Sequence, residues 1–236
     1  MYLSCLVLNP ANRQVRRDVT NCRELHRTLL RAFPQFSPGG QARQDSGLLY
    51  RLENERRYGR IIVYAQSKLK PEWNNTPKGY CMEIKGPKYV KPIYESLKVE
   101  QILSFCLRAN PTRKIETAQK TERLRGVRKN GRRVFIKDYA EQIAWLQRKG
   151  KDGGFELLSV SIDEGTPDLM INPEGKVSGY HGKGEQKQLL TFGSILYKGN
   201  LRISDSKLFM QTLVSGIGSG KAYGFGLLSL ASPRRY

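Results

Sequence analysis

The sequence has little of what a metal site or a disulfide framework requires. Its 236 residues include only two histidines and four cysteines. No two of these cysteines form a C-x-x-C pair, and they lie far apart at Cys5, Cys22, Cys81 and Cys106. A zinc site and a disulfide framework are therefore poor interpretations, and the cysteine usage is typical of a protein kept in a reducing cytosol. We expect a cytoplasmic protein with no bound metal.

Long apolar runs are also absent. No stretch approaches the roughly 18–20 apolar residues that a membrane-spanning helix needs, and the apolar opening at residues 1–8 is too short for a signal peptide. Disorder is a poor interpretation too, because 39% of the residues are hydrophobic and they are spread along the chain. The length permits a substantial core in one large or two small domains. We expect no membrane partner.

Acidic residues are scarce. The chain has 21 Asp and Glu against 41 Lys and Arg, a formal net charge of +20, which favours a polyanionic partner. The segment 108–137, which we call the basic segment, holds eleven basic and two acidic residues, a net charge of +9. A solvated loop is the alternative, although such loops usually mix charges of both signs. The segment lacks the apolar face of a membrane-surface helix, since Gly126, Asn130 and Gly131 interrupt it. Nucleic acid is the favoured partner.

The order of apolar patterns predicts the secondary structure. Asn21 and Glu24 have the capping-box spacing at the start of a predicted helix, and Asp138 and Glu141 repeat it at another. The predicted helices are 22–33, 139–149 and a third from Asp205 to Val214; the predicted strands are 2–8, 47–53, 60–66, 79–84, 99–107, 155–162, 195–203 and 225–231. The glycine-rich stretch 170–188 is interpreted as a mobile hairpin or loop.

This order predicts an α+β protein made of two tandem ferredoxin-like (βαββαβ) domains. The second half shows the strand–helix–strand–strand–helix–strand order fully and carries a basic hairpin insertion, whereas the first half lacks a convincing second helix. Residues 85–98, with two prolines, are interpreted as a connection. We place the domains at 1–90 and 99–236, with a linker at 91–98.

A glycine loop at residues 215–226 (SGIGSGKAYGFG) stands out near the end of the chain. It is not a nucleotide P-loop, because Ser215 replaces the first glycine, Ala222 replaces the magnesium-binding hydroxyl, and the loop follows a helix instead of a strand. A dinucleotide fingerprint fails for the same topological reason. Gly216 is interpreted as a helix C-cap. The other glycines indicate that the backbone approaches something closely, such as a phosphate or an RNA backbone, helped by Lys221.

Only two residues, His26 and His181, titrate in the range suited to proton transfer at neutral pH. On a helical wheel His26 lies at the edge of the apolar stripe of the predicted helix 22–33. An imidazole at that edge is either a histidine with a satisfied hydrogen bond or a proton-transfer group that meets a substrate. The residues alone leave both interpretations open. His181, in the glycine-rich GYHGKG stretch, is interpreted as exposed and incidental.

Several stretches together resemble one family, the CRISPR repeat-processing endoribonucleases, and within it the CasE branch. The matching stretches are LVLNPANRQVRRD at 6–18, ELHRTL at 24–29, LRANPTRK at 107–114, GRRVFIKDYAEQIAWLQRK at 131–149 and GIGSGKAYGFGLLSLA at 216–231. The resemblance covers both halves and most of the chain. It implies two ferredoxin-like domains, in agreement with the predicted order of elements.

The resemblance also implies an activity. Members of this branch cut the precursor CRISPR transcript within each repeat, at the 3′ base of a short hairpin. They need no metal, leave a 2′,3′-cyclic phosphate and stay on the product as a subunit of Cascade. For this chain the implied partners are the CRISPR repeat hairpin RNA and other Cascade subunits, with no small-molecule cofactor.

Within ELHRTL, His26 matches the position at which CasE proteins carry the catalytic histidine. Arg23 stands where some members have a tyrosine, and because arginine stays protonated it is not a general base. It is able to neutralise a phosphorane, so the candidate catalytic residues are His26 and Arg23. The predicted RNA-binding residues are Arg27, Arg108, Arg113, Lys114, Arg125, Arg128, Lys129, Arg132, Arg133, Gly218, Gly220 and Lys221.

RNA selection is assigned to the basic segment. Residues 127–135 (VRKNGRRVF) carry an Asn130-Gly131 turn signal between short arms, which predicts a basic hairpin. Proteins read an A-form stem by its shape and phosphates, and such a hairpin suits that task. The alternative function is a non-catalytic structured-RNA-binding protein, either an inactive repeat-binding paralogue or a ribosomal-type protein. His26 distinguishes the two, because a binding module does not need it.

Overall fold

Two antiparallel sheets, one from each half of the chain, form the frame of the molecule. The computed structural model describes residues 1–34, 45–115, 132–159, 167–181 and 188–233. The first sheet contains β1 (Tyr2–Leu8), β2 (Leu49–Glu55), β3 (Arg60–Ser67) and β4 (Cys81–Tyr89), in the order β2-β3-β1-β4. With two strands inside and two at the edges, this is the strand order of a ferredoxin-like domain.

Two helices pack on the first sheet. They are α1 (Arg13–Val19) and α2 (Cys22–Leu30). The predicted cap of α2 is confirmed, because the Asn21 side chain accepts hydrogen bonds from the amides of Arg23 and Glu24. Helix α1, which the sequence analysis missed, begins in the same way at Asn12. The predicted helix 22–33 is α-helical only to Leu30. The amides of Arg31, Ala32 and Phe33 donate to carbonyls three residues back, so the last turn is tightened as in a 3₁₀ helix.

The first half has no α-helix between β3 and β4, where a ferredoxin-like domain has its second helix, in agreement with the prediction. Residues 68–80, all of them described, contain only a 3₁₀ turn at Trp73–Asn75. Trp73 is buried there, its ring edge-on to Phe33 at a centroid distance of 6.2 Å. Its indole N–H donates to the hydroxyl of Ser4 on β1 over 2.8 Å. A single buried indole therefore covers the part of the sheet where the helix would otherwise lie.

The second half repeats the ferredoxin-like order with both helices. Its sheet contains β5 (Ile102–Ala109), β8 (Phe155–Leu157), β10 (Gln188–Ile203) and β11 (Leu228–Ala231), in the order β11-β5-β10-β8. The helices are α4 (Tyr139–Gly153), between β5 and β8, and α5 (Ser206–Ser215), between β10 and β11. The predicted caps Asp138 and Asp205 both accept hydrogen bonds from amides of the first helical turn. The α+β fold class with two tandem ferredoxin-like domains is confirmed.

Each half has its own apolar core between sheet and helices. In the first half, Leu25 and Leu29 of α2 pack with Leu6 and Val63 of the sheet. In the second half, Trp145 of α4 stacks on Tyr197 of β10, with ring centroids 6.3 Å apart. The helix stripes that the sequence predicts are therefore the faces that cover the sheets.

The stretch 170–188, interpreted as a mobile hairpin or loop, contains one arm of a hairpin that is longer than the sequence predicts, and residues 182–187 lie outside the described residues. Strand β9 (Leu169–His181) pairs along β10 to form a long antiparallel ribbon. Glycine and proline have low strand propensity, but β9 tolerates both at the positions where they occur. Among the described strands β9 pairs with β10 alone, so Pro173 lies on an edge strand of the described sheet. Gly175, at a φ of +83°, lies where the pairing register shifts at a bulge.

The insertion between β5 and α4 is a basic two-stranded ribbon. Strand β6 (Thr112–Ile115) pairs with β7 (Arg132–Phe135). The prediction paired the second arm of a hairpin, at 132–135, with a first arm before Asn130. In the structure residues 132–135 pair instead with residues 112–115. The predicted first arm and the Asn130-Gly131 turn lie outside the described residues, as do Arg125, Arg128 and Lys129. Strand β6 begins directly after β5, so local sequence signals around Asn130 do not indicate this pairing.

The connection between the halves is more ordered than its prolines indicate. Strand β4 continues to Tyr89, five residues beyond the predicted end, because an edge strand tolerates Pro87. A short helix, α3 (Lys91–Glu95), follows. The hydroxyl of its buried Tyr94 donates to the Oε1 of Gln66 on β3 over 2.7 Å. The boundaries 1–90, 91–98 and 99–236 stay a prediction. Of the described helices, none is long and apolar enough to cross a membrane.

Candidate functional site

The imidazole of His26 lies in the second turn of α2, half-buried against the first sheet. Its ring is nearly parallel to that of Tyr50 on β2, with an interplanar angle of 14° and a centroid distance of 6.1 Å. Tyr50 is 1% exposed, so it forms a fixed wall beside the imidazole. The Nδ1 atom of His26 is buried. The position predicted from the helical wheel, at the edge of the apolar stripe, is confirmed.

Tyr50 also connects the helix to the glycine loop. Its hydroxyl lies 3.3 Å from the carbonyl oxygen of Cys22 and 3.2 Å from that of Ala222. Burial raises the pKa of Tyr50 well above its usual value of 10.0, so the hydroxyl keeps its proton and donates it to these carbonyls. The first turn of α2 and the 3₁₀ turn at Lys221–Tyr223 are therefore held to the same side chain.

Arg23, the other candidate catalytic residue, lies one turn before His26. Its guanidinium Nη1 donates to the carbonyl of Tyr180 on β9 over 3.2 Å. The ribbon comes this close because Gly179 has no side chain: a Cβ there would lie 2.9 Å from the Sγ of Cys22. The β9–β10 ribbon therefore packs against the N-terminal turn of α2 and holds Arg23 by one of its N–H groups. Arginine has four further N–H donors for other acceptors.

Arg27 lies on the outer face of α2, with its side chain 64% exposed. It forms an ion pair with Glu24, whose carboxylate lies 3.6 Å from the guanidinium of Arg17 on α1. This surface network contributes little to stability. Arg27 is accessible to a polyanion, and its predicted role in binding RNA stays a prediction.

A buried carboxylate anchors the other side of the same helix. Asp18 at the end of α1 is fully buried and accepts hydrogen bonds from the hydroxyls of Thr28, at 2.6 Å, and Tyr80, at 3.1 Å. Arg17 pairs with its second oxygen. Thr28 is two residues after His26, so this network fixes the segment of α2 that carries the imidazole. Sequence reasoning missed Asp18, because it gives no motif signal at this position.

The side chain of Arg108, which was predicted to bind RNA, makes hydrogen bonds to other residues of the protein. This side chain, 13% exposed, donates two hydrogen bonds of 2.6 Å to the carboxylate of Glu174 on β9 and a third to the carbonyl of Leu52 on β2. The hydroxyl of Ser194 supports the same carboxylate at 2.8 Å. We call this the inter-sheet clamp. Arg108 and Glu174 both belong to the second half, and the hydrogen bond to Leu52 is the part of the clamp that reaches the first half. RNA binding by Arg108 stays an untested prediction.

The glycine loop is packed against aromatic rings of the protein itself. Gly216 ends α5, as predicted, and its amide donates to the carbonyl of Thr212. At Gly218 a Cβ would lie 3.1 Å from the ring of Trp145, and at Gly224 it would lie 3.2 Å from the ring of Tyr50. The close approach that the glycines predict is therefore made, at these two positions, to the protein's own rings. Backbone contact with RNA at Gly218 and Gly220 stays a prediction.

A groove of about 480 Å³ runs between the glycine loop, α4 and the basic ribbon. It brings together Lys221 of the loop and Arg133 of β7, two of the predicted RNA-binding residues. It adds Arg148 and Lys149 of α4, which sequence reasoning missed although both lie on the polar face of a predicted helix. Its one acidic residue among the described lining is Asp152, which pairs with Lys149. We call this the basic groove.

The turn between β5 and β6 fastens the glycine loop from the other side. The amide nitrogen of the buried Asn110 side chain donates to the hydroxyl of Ser219, and that hydroxyl lies 3.3 Å from the backbone carbonyl of Asn110. Of the predicted residues on β6, Lys114 is exposed and Arg113 pairs with Glu141 of α4 at 2.6 Å. The glycine loop thus has two neighbours. Its Lys221 lines the basic groove, and its Ala222 is connected through Tyr50 to the helix that carries His26.

A second cavity, a cleft of about 850 Å³, lies between the two halves. Cys22 and Tyr50 line one side and the inter-sheet clamp lines another. Sequence reasoning did not predict it, because it depends on how the halves dock. Within the described ranges, no group of three or more His, Cys, Asp or Glu side chains is arranged to hold a metal ion.

Comparisons with known proteins agree on one family. The family model described as CRISPR associated protein matches residues 1–232. The chain is 37% identical over 233 residues to the CRISPR-associated endoribonuclease Cse3 of Thermus thermophilus, covering 98% of this chain and 100% of that protein. It is 35% identical over 141 residues to the CRISPR system Cascade subunit CasE of Escherichia coli, covering 60% and 63%.

A solved structure shows the same likeness in three dimensions. A structure of the CRISPR endoribonuclease Cse3 bound to a 19-nucleotide RNA superposes with a TM-score of 0.79 at 36% identity, covering 98% of this chain and 100% of that one. The likeness extends over both halves, including the helix that carries His26. The chain therefore belongs to the family of CRISPR-associated proteins, in the branch of Cse3 and CasE.

Proposed function

We propose that this protein is a metal-independent endoribonuclease that cleaves precursor CRISPR RNA at the 3′ base of the repeat hairpin and stays bound to the mature guide RNA. The observation that carries the proposal is the placement of His26. Its ring lies parallel to that of Tyr50, whose hydroxyl reaches the glycine loop at Ala222, and the loop also lines the basic groove. The full-length similarity to a Cse3 endoribonuclease supports the reaction class.

The proposed chemistry uses the substrate's own ribose as nucleophile. The 2′-oxygen forms a bond to phosphorus as the bond from phosphorus to the 5′-oxygen breaks, which leaves a 2′,3′-cyclic phosphate and a 5′-hydroxyl. One proton leaves the 2′-hydroxyl and one reaches the departing 5′-oxygen, so no water is consumed. His26 carries at least one of these transfers, since an imidazole both accepts and donates protons near neutral pH.

The transition state gains negative charge on the phosphoryl oxygens, which nearby cations stabilise. Arg23, one turn before His26, has N–H groups beyond the one that Tyr180 accepts. Arg27, one residue after His26, is exposed on the same helix. We assign charge stabilisation to Arg23 first and Arg27 second, and the base role to neither, because both stay protonated.

The proposed grip on the RNA stem is electrostatic. Lys114 of β6 and Arg133 of β7 face one another in register across the basic ribbon, and both are exposed. Like charges directly opposite each other destabilise a strand pair, so a bound polyanion would relieve their repulsion. We assign the same role to Arg113 and Lys221. Arg125, Arg128, Lys129 and Arg132 add four positive charges to the basic segment in sequence. An A-form stem is recognised through such phosphate contacts.

The proposed partners follow from the same relatives. The Escherichia coli relative is named a Cascade subunit, and we propose that this chain also remains in such a complex after cleavage. A protein that works on a transcript and then on its guide complex acts where transcripts are made, so we propose a cytoplasmic location.

The test is cleavage of a panel of repeat hairpin RNAs in EDTA. We expect cutting at a single site in one cognate repeat, and no cutting when the ribose 5′ to that site is 2′-deoxy. Loss of cutting in EDTA that returns with added Mg²⁺ would contradict the metal-independent chemistry. Tight binding of the cognate repeat with no cutting would instead establish the non-catalytic RNA-binding alternative.

A further inference from the structure

The geometry points to Tyr50 as the residue that positions His26 and couples it to the glycine loop. This inference rests on the proposed function, since it assigns a positioning role for the proposed proton transfer. Tyr50 contacts all three parts at once: the imidazole by its ring face, α2 by the Cys22 carbonyl and the loop by the Ala222 carbonyl. No sequence motif marks it, and it lies on a different element from His26.

The ring contact restricts the imidazole. Two rings inclined by only 14° with centroids 6.1 Å apart are an offset parallel pair. Because Tyr50 is 1% exposed and lies in a regular strand, its own ring is fixed by the core around it. Rotation of His26 about its χ angles therefore moves the imidazole away from a rigid neighbour, which disfavours orientations other than the parallel one.

The hydroxyl contact joins two backbone segments through one proton. A phenol has a single O–H, so it cannot make two full hydrogen bonds as a donor. The two oxygen–oxygen distances, 3.3 Å to Cys22 and 3.2 Å to Ala222, are both longer than the usual O–H···O distance of about 2.7–2.8 Å. They fit a three-centre bond in which the two carbonyls share the proton. A shift of either carbonyl therefore changes the strength of the hydrogen bond from Tyr50 to the other carbonyl.

The glycine loop is fitted to the side of the same ring. Gly224, at a φ of +89°, brings its backbone so close that a Cβ would lie 3.2 Å from Tyr50 Cε2. The loop thus meets Tyr50 at two points, the Ala222 carbonyl and the Gly224 backbone. Since Lys221 and Gly218 of this loop line the basic groove, RNA that occupies the groove presses on the segment that holds Tyr50. Tyr50 is the physical link between RNA binding and the orientation of His26.

A purely structural role predicts a different outcome from a positioning role. If Tyr50 only fills the core, then Tyr50→Phe, which keeps the ring and removes the shared proton, leaves the cleavage rate of the folded protein unchanged. If Tyr50 positions His26, the rate falls while RNA affinity stays the same. Misplacement of a catalytic group by about 1 Å costs as much as 10²-fold in rate, so we expect a fall of about 10-fold or more for Tyr50→Phe.

The matched control is Tyr94→Phe. Tyr94 is another buried tyrosine, 8% exposed, whose hydroxyl donates to the side chain of Gln66 far along the chain from α2. Both variants lose one buried phenolic hydroxyl. The experiment compares single-turnover cleavage at saturating protein, equilibrium RNA affinity and thermal unfolding for the wild type, Tyr50→Phe, Tyr50→Leu and Tyr94→Phe.

We expect unchanged affinity in all four proteins and a normal rate in Tyr94→Phe. The rate should fall in Tyr50→Phe and fall further, by about 100-fold, in Tyr50→Leu, which also loses the ring. Wild-type rates in Tyr50→Phe would overturn the inference and leave the proposed endoribonuclease intact. Absence of cleavage by the wild type would overturn the proposed function itself, so the two failures are distinguishable.

A spectroscopic measurement keeps the inference testable in the absence of any cleavage. The chain has only two histidines, so the imidazole resonances of His26 are identified by comparison with His26→Ala. We expect these resonances to respond to hairpin RNA in the wild type, and to respond less in Tyr50→Phe at equal occupancy. An equal response in both proteins would contradict the coupling between the loop and His26.

Discussion

The two halves of the molecule share one strand order but differ in their helices, added strands and candidate functional residues. The first half packs α1 and α2 on its sheet, has a 3₁₀ turn and a buried Trp73 between β3 and β4 where the second half has a helix, and holds the imidazole of His26. The second half keeps both ferredoxin-like helices and adds the basic β6–β7 ribbon and the long β9–β10 ribbon. A common frame thus carries the proposed proton-transfer group in one half and the basic ribbon in the other.

Several hydrogen bonds between described residues join the halves. They include the bonds of Arg23 to Tyr180, Tyr50 to Ala222, Arg51 to Cys106 and Ser229, and Gln66 to Leu213, together with the bond of the inter-sheet clamp from Arg108 to Leu52. The comparison leads to a simple expectation. Substitutions at His26 in the first half should change the rate of cleavage, substitutions in the basic ribbon should change affinity, and substitutions at the clamp should change stability.

The largest expected effect is the loss of cleavage in His26→Ala. General acid–base groups contribute about 10²–10⁴-fold to a rate, so single-turnover cleavage should fall by at least 10²-fold while RNA affinity is unchanged. His181→Ala, which removes the only other histidine, is the control and should cut normally. Equal losses of cleavage rate in the two variants would contradict the assignment of proton transfer to His26 of the first half.

The next effect is on affinity and separates the halves directly. In the double variant Lys114→Glu, Arg133→Glu, charge reversal on the basic ribbon should weaken RNA binding by at least 10-fold. The log–log slope of affinity against salt concentration should become shallower by about one unit for each phosphate that the variant no longer neutralises. The matched control reverses Lys85 and Lys88 on the exposed edge strand β4 of the first half.

Filter-binding titrations at several salt concentrations measure both quantities. The control variant should bind RNA nearly as well as the wild type. If reversal on β4 weakens binding as much as reversal on the ribbon, the positive surface is not confined to the second half.

The third effect is on stability. Arg108→Met leaves the carboxylate of Glu174 partly buried without its partner, which should cost about 3 kcal/mol in the free energy of unfolding. Lys91→Met, which removes one member of an exposed pair with Glu95, should cost less than about 1 kcal/mol. Urea unfolding of both variants measures the difference, and similar midpoints would mean that the clamp contributes no more to stability than an exposed ion pair.

The smallest effect is a loss of stability at alkaline pH. Burial raises the pKa of the Cys22 thiol from 9.0 to about 11. The folded protein therefore favours the neutral thiol, so this contribution is complete below pH 9 and is lost as the pH rises towards 11. In the second half, burial also raises the pKa of Cys106, which is more exposed.

Thermal unfolding between pH 8 and 11 tests this difference. We expect Cys22→Ala to flatten the alkaline decline by at most about 2 kcal/mol and Cys106→Ala to flatten it less. A larger change in the alkaline decline for Cys106→Ala than for Cys22→Ala would contradict this prediction.

The sequence predicted the parts that depend on local patterns. Asn21 and Glu24 marked the start of α2, and the apolar stripe placed His26 at its edge, because helix caps and helical periodicity are local. The alternation of strands and helices was sufficient for the ferredoxin-like order. A hairpin at 170–188 was one of two predicted alternatives, but the length of the β9–β10 ribbon was missed. Pro173 and Gly175 have low strand propensity, and only the edge position and the bulge make them acceptable.

The contacts between elements were beyond sequence reasoning. The charge count placed Arg108 in a binding surface, whereas its partner Glu174 lies 66 residues away in sequence. The glycines at 218 and 224 predicted a close approach to a ligand, whereas the rings of Trp145 and Tyr50 lie there. Tyr50 itself carried no signal, because its role depends on how β2, α2 and the glycine loop meet.

The most direct measurement is a crystal structure with the cognate repeat RNA made uncleavable by a 2′-deoxy ribose at the cut site. The proposed chemistry predicts that a ring nitrogen of His26 lies within about 2.6–3.2 Å, or one bridging water, of the departing 5′-oxygen or of the position vacated by the 2′-oxygen. An imidazole separated from both by more than a single water would contradict its part in proton transfer.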